Sequence, residues 1–191
     1  MSATTEAPRA GPSRRARWTI GVAAVLAAVL IAVLSVLTGA PVTSTTTPTS
    51  ALVGRHVAAF AEAGLTGGTV HAPWSRHHAG VVIFFASWCG PCQREMPQVA
   101  AYLRTHSFGS VQVVGVDALD ARGSAQRFVT RDAVLFPVSF DPNGSVTTGV
   151  FGFATLPETV FVNARGVVTD VYYGAIPTGR LVAGVAQLAA G

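Results

Sequence analysis

Residues 81–86, VVIFFA, form an unbroken apolar run that is introduced by Gly80 and ends in Ser87-Trp88-Cys89-Gly90-Pro91-Cys92. A strand that alternated polar and apolar residues could leave one face in water, but this one has no polar face. The run therefore predicts a central strand with packed layers above and below it. From residue 90 to 106 the pattern becomes helical. Pro91 falls in the first turn, where its missing N–H is no loss, and Pro97 lies inside as an expected kink. The two cysteines of the chain, Cys89 and Cys92, thus stand where an apolar strand gives way to a helix.

That junction shapes what the thiols can do. Unpaired backbone N–H groups and the helix dipole converge on a helix start and favour an anion. A thiolate at Cys89 is expected to form readily there and to act as the nucleophile. Cys92 follows one turn later, near enough to attack a mixed disulfide on Cys89. The implied chemistry is two-step thiol–disulfide exchange. A structural staple is a poorer reading, because so small a loop constrains the unfolded chain little. A zinc site would need a second cysteine pair or suitably spaced histidines. His56, His71, His77, His78 and His106 do not supply that spacing, and no metal is expected.

The rest of the chain reads as alternating short elements. Thr66-Gly67-Gly68-Thr69 predicts a hairpin between strands at about 57–63 and 69–72. VQVVGVD (111–117) is a second buried strand, about 122–132 a helix, FPVSF (136–140) a short extended piece and 144–151 a helical turn. Residues 158–163 and 167–173 flank Ala164-Arg165-Gly166 as a terminal hairpin, and 178–190 is a closing helix. The series predicts a mixed sheet with helices on both faces and right-handed parallel crossovers.

Residues 18–38 carry no charge and no proline, and are long enough to span a bilayer as a helix. Arg9, Arg14, Arg15 and Arg17 precede them against Glu6 alone, which places residues 1–17 in the cytoplasm and everything beyond residue 40 outside. The apolar core exceeds a signal peptide's, and Pro41 follows the small-residue site Thr38-Gly39-Ala40, so the segment reads as a retained anchor, with a cut after Ser44 as the alternative. Residues 39–50 are a Thr/Ser/Pro-rich tether, and 51–191 are the domain. The net charge of +4 divides into +3 for the first 17 residues (four arginines, one glutamate) and +1 for the remainder (nine arginines, eight acids). The outer domain is nearly neutral, so the charge implies no nucleic-acid partner.

FFASWCGPCQREMP resembles the active site of the thioredoxin superfamily, and its extension Gln93-Arg94-Glu95-Met96-Pro97 resembles the membrane-tethered TlpA/ResA/DsbE branch. The likeness covers about residues 51–190 and includes VVGVDALD, FPVSFDPNGSV and TLPETVFVN. It implies a thioredoxin-like α/β fold with an N-terminal hairpin extension and a central insertion. It further implies that Trp88 shields one side of the site, with Gly90 and Pro91 between the cysteines. Pro157 takes the cis-proline position, and the backbone of Leu156 before it offers a docking edge to an extended substrate. By position alone Glu95, three residues after Cys92, reads equally as an exposed helix acid paired with a neighbouring arginine; the resemblance implies that it is the carboxylate that takes the proton of Cys92. In thioredoxin the strand position six before the first cysteine holds a buried acid; here it is Ile83.

By the same resemblance the chain is a thiol–disulfide oxidoreductase of the bacterial cell membrane, with its catalytic domain outside. It needs no cofactor beyond the redox-active Cys89–Cys92 disulfide. Its expected partners are cysteine-containing exported proteins, apocytochrome c among them, and a membrane electron-donor protein. Gly90-Pro91 favours a reductase, with disulfide formation by the same site as the alternative. More remote readings are a peroxidase, which normally needs a Thr-x-x-Cys pocket absent here, and a copper-binding chaperone.

Overall fold

The computed structural model describes residues 50–152 and 155–190. The expected span at 18–38 and its tether lie outside them; among the described residues no helix is long and apolar enough to cross a membrane. Strands β1 (Ala61–Ala63) and β2 (Thr69–His71) pair antiparallel around the Gly67-Gly68 turn, and a 3-10 turn (Pro73–Arg76) follows. Then come β3 (Gly80–Phe85), α1 (Gly90–Thr105), β4 (Gln112–Ala118), α2 (Arg122–Arg131), β5 (Val138–Asp141), β6 (Glu158–Val162), β7 (Val168–Tyr173) and α3 (Thr178–Ala190). Helix α1 passes Pro97 without interruption. The expected turn at 144–151 is a pair of single turns, in which Thr148 N–H and Val150 N–H return to the carbonyls of Gly144 and Val146.

The main sheet has the order β5-β4-β3-β6-β7. β3 pairs parallel with β4, and β4 with β5, whereas β6 runs antiparallel to both β3 and β7. The apolar run thus occupies the centre, and all six residues of β3 are buried. Side chains of one parity, Val81, Ile83 and Phe85, pack with Met96 and Val99 of α1, Phe128 and Val129 of α2, and Leu181 and Val185 of α3. Those of the other parity, Val82 and Phe84, meet Leu52, Val57, Phe60, Val70, Trp74, Val146 and Phe151.

The expectation of helices on both faces is corrected here. All three α-helices pack on the face of Ile83, while the opposite face is closed by residues 52–60, the small hairpin, the 3-10 turn and the 144–151 turns. Handedness explains it. The β3-α1-β4 and β4-α2-β5 crossovers advance through the sheet in the same direction. Two right-handed connections of one direction must put their helices on one face.

Packing against that face is tight. A Cβ added to Gly184 of α3 would lie 2.3 Å from the Phe161 ring of β6, so glycine sets how closely the last helix approaches the sheet. Arg122 at the start of α2 donates from Nη1 to the carbonyls of Gly64 and Leu65 and lies over the Phe140 ring, tying the hairpin to the sheet edge.

Candidate active site

β3 delivers the chain to Cys89, which caps α1 in extended conformation (φ −80°, ψ 108°), with its Sγ accepting the Cys92 N–H at 3.1 Å. The two cysteines are joined as a disulfide. Cys89 is 5 % exposed and Cys92 0 %, so an incoming group can approach Cys89 alone. Gly90 and Pro91 between them are exposed, and nothing stands within 4 Å of a Cβ built on Gly90. Trp88 projects beside the pair, 60 % exposed, its indole N–H donating to the Leu119 carbonyl at 3.2 Å.

The segment before the cysteines is held from the β4–α2 loop. Ser87 N–H donates to Asp120 Oδ2 at 2.6 Å, and Asp120 Oδ1 accepts the Ala121 N–H at 2.6 Å. The Ser87 carbonyl in turn accepts from Gln93 Nε2 at 2.7 Å.

Glu95 lies on the buried side of α1 with Cys92 and is 2 % exposed. Its Oε1 accepts the Ile176 N–H at 2.8 Å, while Oε2 has no hydrogen-bond partner among the described residues. Burial pushes its carboxyl up to about 7, against the smaller lowering effect of the Ile176 N–H. It is therefore not a solvated helix acid paired with arginine; Arg94 instead donates to the Gly90 carbonyl. A group half protonated near neutral pH, three residues from a buried thiol, can both take and return a proton.

The Leu156–Pro157 peptide bond is cis. Leu156 packs partly buried against the cluster that contains Cys89 and Cys92, and Pro157 is buried with its carbonyl accepting the Gly174 N–H at 2.8 Å. The structure thus gathers Cys89, Cys92 and Glu95 at the start of α1, with Leu156 packed against the cluster that holds both cysteines and Trp88, Gly90 and Pro91 exposed around the disulfide. Among the described residues no group of histidines, cysteines and acids is arranged to hold a metal ion. Sequence reasoning missed Asp117 and Asp120. Their signal was present in VVGVDALD, where one acid ends an apolar strand and a second follows in the loop, next to the strand that leads to the cysteines.

The profile of the AhpC/TSA family matches residues 53–171, from ahead of the hairpin into β7. The chain belongs to the AhpC/TSA family. Three relatives bear out the resemblance of this AhpC/TSA member to the ResA/DsbE branch. The structure of MTB DsbF in mixed oxidised and reduced forms shares 32% identity, covers 68% of this chain and 94% of its own, and superposes with a TM-score of 0.60. Thiol-disulfide oxidoreductase ResA of Halalkalibacterium halodurans is 31% identical over 91 residues, 48% of this chain and 51% of the relative. Sporulation thiol-disulfide oxidoreductase A of Bacillus subtilis is 25% identical over 104 residues, 53% of this chain and 62% of the relative. The chain therefore matches ResA over about half of that relative's length.

Proposed function

We propose that this protein is an extracytoplasmic thiol–disulfide oxidoreductase that reduces disulfides in exported proteins. The observation that carries the reading is the sequence of environments along the first two turns of one helix. Cys89 caps the helix at the surface, Cys92 is sealed behind it, and Glu95, with a carboxyl near 7, is buried on the same side. Relatives named as thiol-disulfide oxidoreductases, and one solved in both redox forms, support it.

In the reduced enzyme the Cys89 thiolate, favoured by the helix start, attacks one sulfur of a substrate disulfide. A mixed disulfide forms and the other substrate sulfur leaves as a thiolate. Glu95 accepts the proton of Cys92, whose thiolate attacks the Cys89 sulfur, forming the Cys89–Cys92 bond and releasing the second substrate thiolate. Two electrons pass from the cysteine pair to the substrate. The disulfide form seen here is the product of that turn and is re-reduced by a membrane dithiol donor. This reading assigns to the substrate the exposed Trp88, next in sequence to Cys89, and the Leu156 backbone ahead of the cis-proline. Cysteine-bearing exported chains, including apocytochrome c, fit such a docking edge. The apolar segment 18–38, with arginines before it, holds the domain at the outer surface of the membrane.

The test is the redox equilibrium of the full-length protein against glutathione and dithiothreitol. A potential near that of thioredoxin, about −270 mV, supports the reductase. A potential near about −120 mV, that of strong oxidants, reverses the direction and makes the protein a disulfide-forming enzyme.

A further inference from the structure

Asp117 is fully buried at the end of β4, directly opposite Phe85 in the parallel pairing with the strand that leads to Cys89. Neither of its oxygens meets an N–H or O–H donor among the described residues. The charged groups acting on it are Asp120 from the β4–α2 loop, Asp141 from the end of β5 and Arg122 from the first turn of α2. Two of the three are acids. Asp141 is already committed to the 144–151 turns: it accepts from Thr147 N–H (2.8 Å), Thr147 Oγ1 (2.5 Å), Ser145 Oγ (2.8 Å) and Val146 N–H (3.3 Å). Although burial raises its carboxyl, these bonds outweigh it and hold the group below its ordinary range. Asp120 is likewise fixed as an acceptor, by the N–H groups of Ser87 and Ala121. Two carboxyl groups that interact with no donor between them share a proton.

We propose that Asp117 is a positioning residue of the redox site, a buried neutral acid whose proton is donated to Asp120. By that bond it aims Asp120 at the Ser87 N–H and fixes the 87–88 segment that presents Cys89. Burial, helped by Asp120 and Asp141 and opposed by Arg122, pushes the Asp117 carboxyl up to about 8. Below that pH the proton is in place and Asp120 is held. Above it, two adjacent anions with no proton between them repel each other, and Asp120 swings from Ser87. Trp88 follows, since it is held only one residue along, by the Leu119 carbonyl. An apolar residue would fill the position as well as Asp117 does; a carboxyl without a donor is destabilising unless it has a task.

The inference rests on Cys89 as the attacking thiolate. Wild-type reactivity tests that premise, whereas the comparison among variants tests the clamp. The measurement is the rate at which the reduced full-length protein attacks an uncharged small disulfide, 2-hydroxyethyl disulfide, across a pH series. The wild-type rate rises as Cys89 ionises and then falls above about pH 8, as the Asp117 proton leaves. Asp117→Leu, which has no donor, slows attack at about pH 7 by about tenfold, the loss of a hydrogen bond to a charged group. Asp117→Asn, whose amide keeps a donor toward Asp120 at every pH, recovers most of that loss and abolishes the fall at high pH. An Asp117→Asn protein as slow as Asp117→Leu overturns the proposal. So do superimposable wild-type and Asp117→Asn profiles, a comparison that stands even if Asp117→Leu does not fold.

Discussion

Replacing Glu95 by Gln separates what this carboxyl does for chemistry from what it does to stability. In the folded protein its carboxyl sits near 7, against an ordinary 4.5, because burial disfavours the charge. The folded state therefore holds a proton that the unfolded chain has already released, and stability falls as pH rises from about 4.5 through about 7. Linkage between those two values gives a loss of about 0.8 kcal/mol by pH 5 and about 3.3 kcal/mol by pH 8, hence about 2.5 kcal/mol across that interval. Gln has nearly the same shape, keeps an oxygen to accept the Ile176 N–H and never ionises. Glu95→Gln is thus expected to gain about 2.5 kcal/mol over the wild type on moving from pH 5 to pH 8. The assay is urea unfolding of both proteins at the two pH values, with the cysteines kept oxidised so that they do not titrate. Any contribution from Asp117 has the same sign in both proteins and cancels in the difference. The same variant should accumulate mixed disulfide with substrate, because Cys92 has lost its proton acceptor. A stability difference that is independent of pH, or that favours the wild type at pH 8, would refute the reasoning.

Two further substitutions test the packing. Gly184→Ala puts a methyl 2.3 Å from the buried Phe161 ring. It should lower stability by about 1–3 kcal/mol despite alanine's better helix propensity, read as a shifted denaturation midpoint with an unchanged slope. Ala133 is exposed, follows the cap of α2 and has φ +51°, a left-handed conformation that suits glycine. Ala133→Gly should raise stability by about 0.5–1 kcal/mol, read as a higher midpoint, and leave the redox potential unchanged.

The centre of the fold was legible because it is built from a signal that tertiary context cannot overturn. Six apolar residues in a row must be buried on both faces, and β3 is. The Gly67-Gly68 and Ala164–Gly166 turns were likewise legible, since positive φ at Gly67, Gly68 and Gly166 allows the chain to reverse there. Strand lengths were less so. Residues 57–60 were grouped with the first hairpin strand, yet Val57 N–H donates to the Gly166 carbonyl and the β1–β2 ladder begins at Ala61. The side of the sheet on which each helix lies depends on strand order, which the alternation of elements does not carry. At the site, Cys89 and Cys92 announced themselves by spacing and by the junction they occupy. Glu95 was legible as a neighbour of Cys92, but its burial was not: it depends on Ile176, far along the chain. Asp117 drew no reading from the sequence, because only the pairing with β3 places it beside the strand that leads to Cys89.

The bond from Ile176 N–H to Glu95 joins residues 81 positions apart. The cysteines and their acid are therefore synthesised long before the amide that completes them. A ribosome-bound chain that ends short of Ile176 would carry both thiols with Glu95 still in water, chemically a simple dithiol peptide. Competence for controlled exchange arrives late, with the final helix, and so coincides with the finished domain.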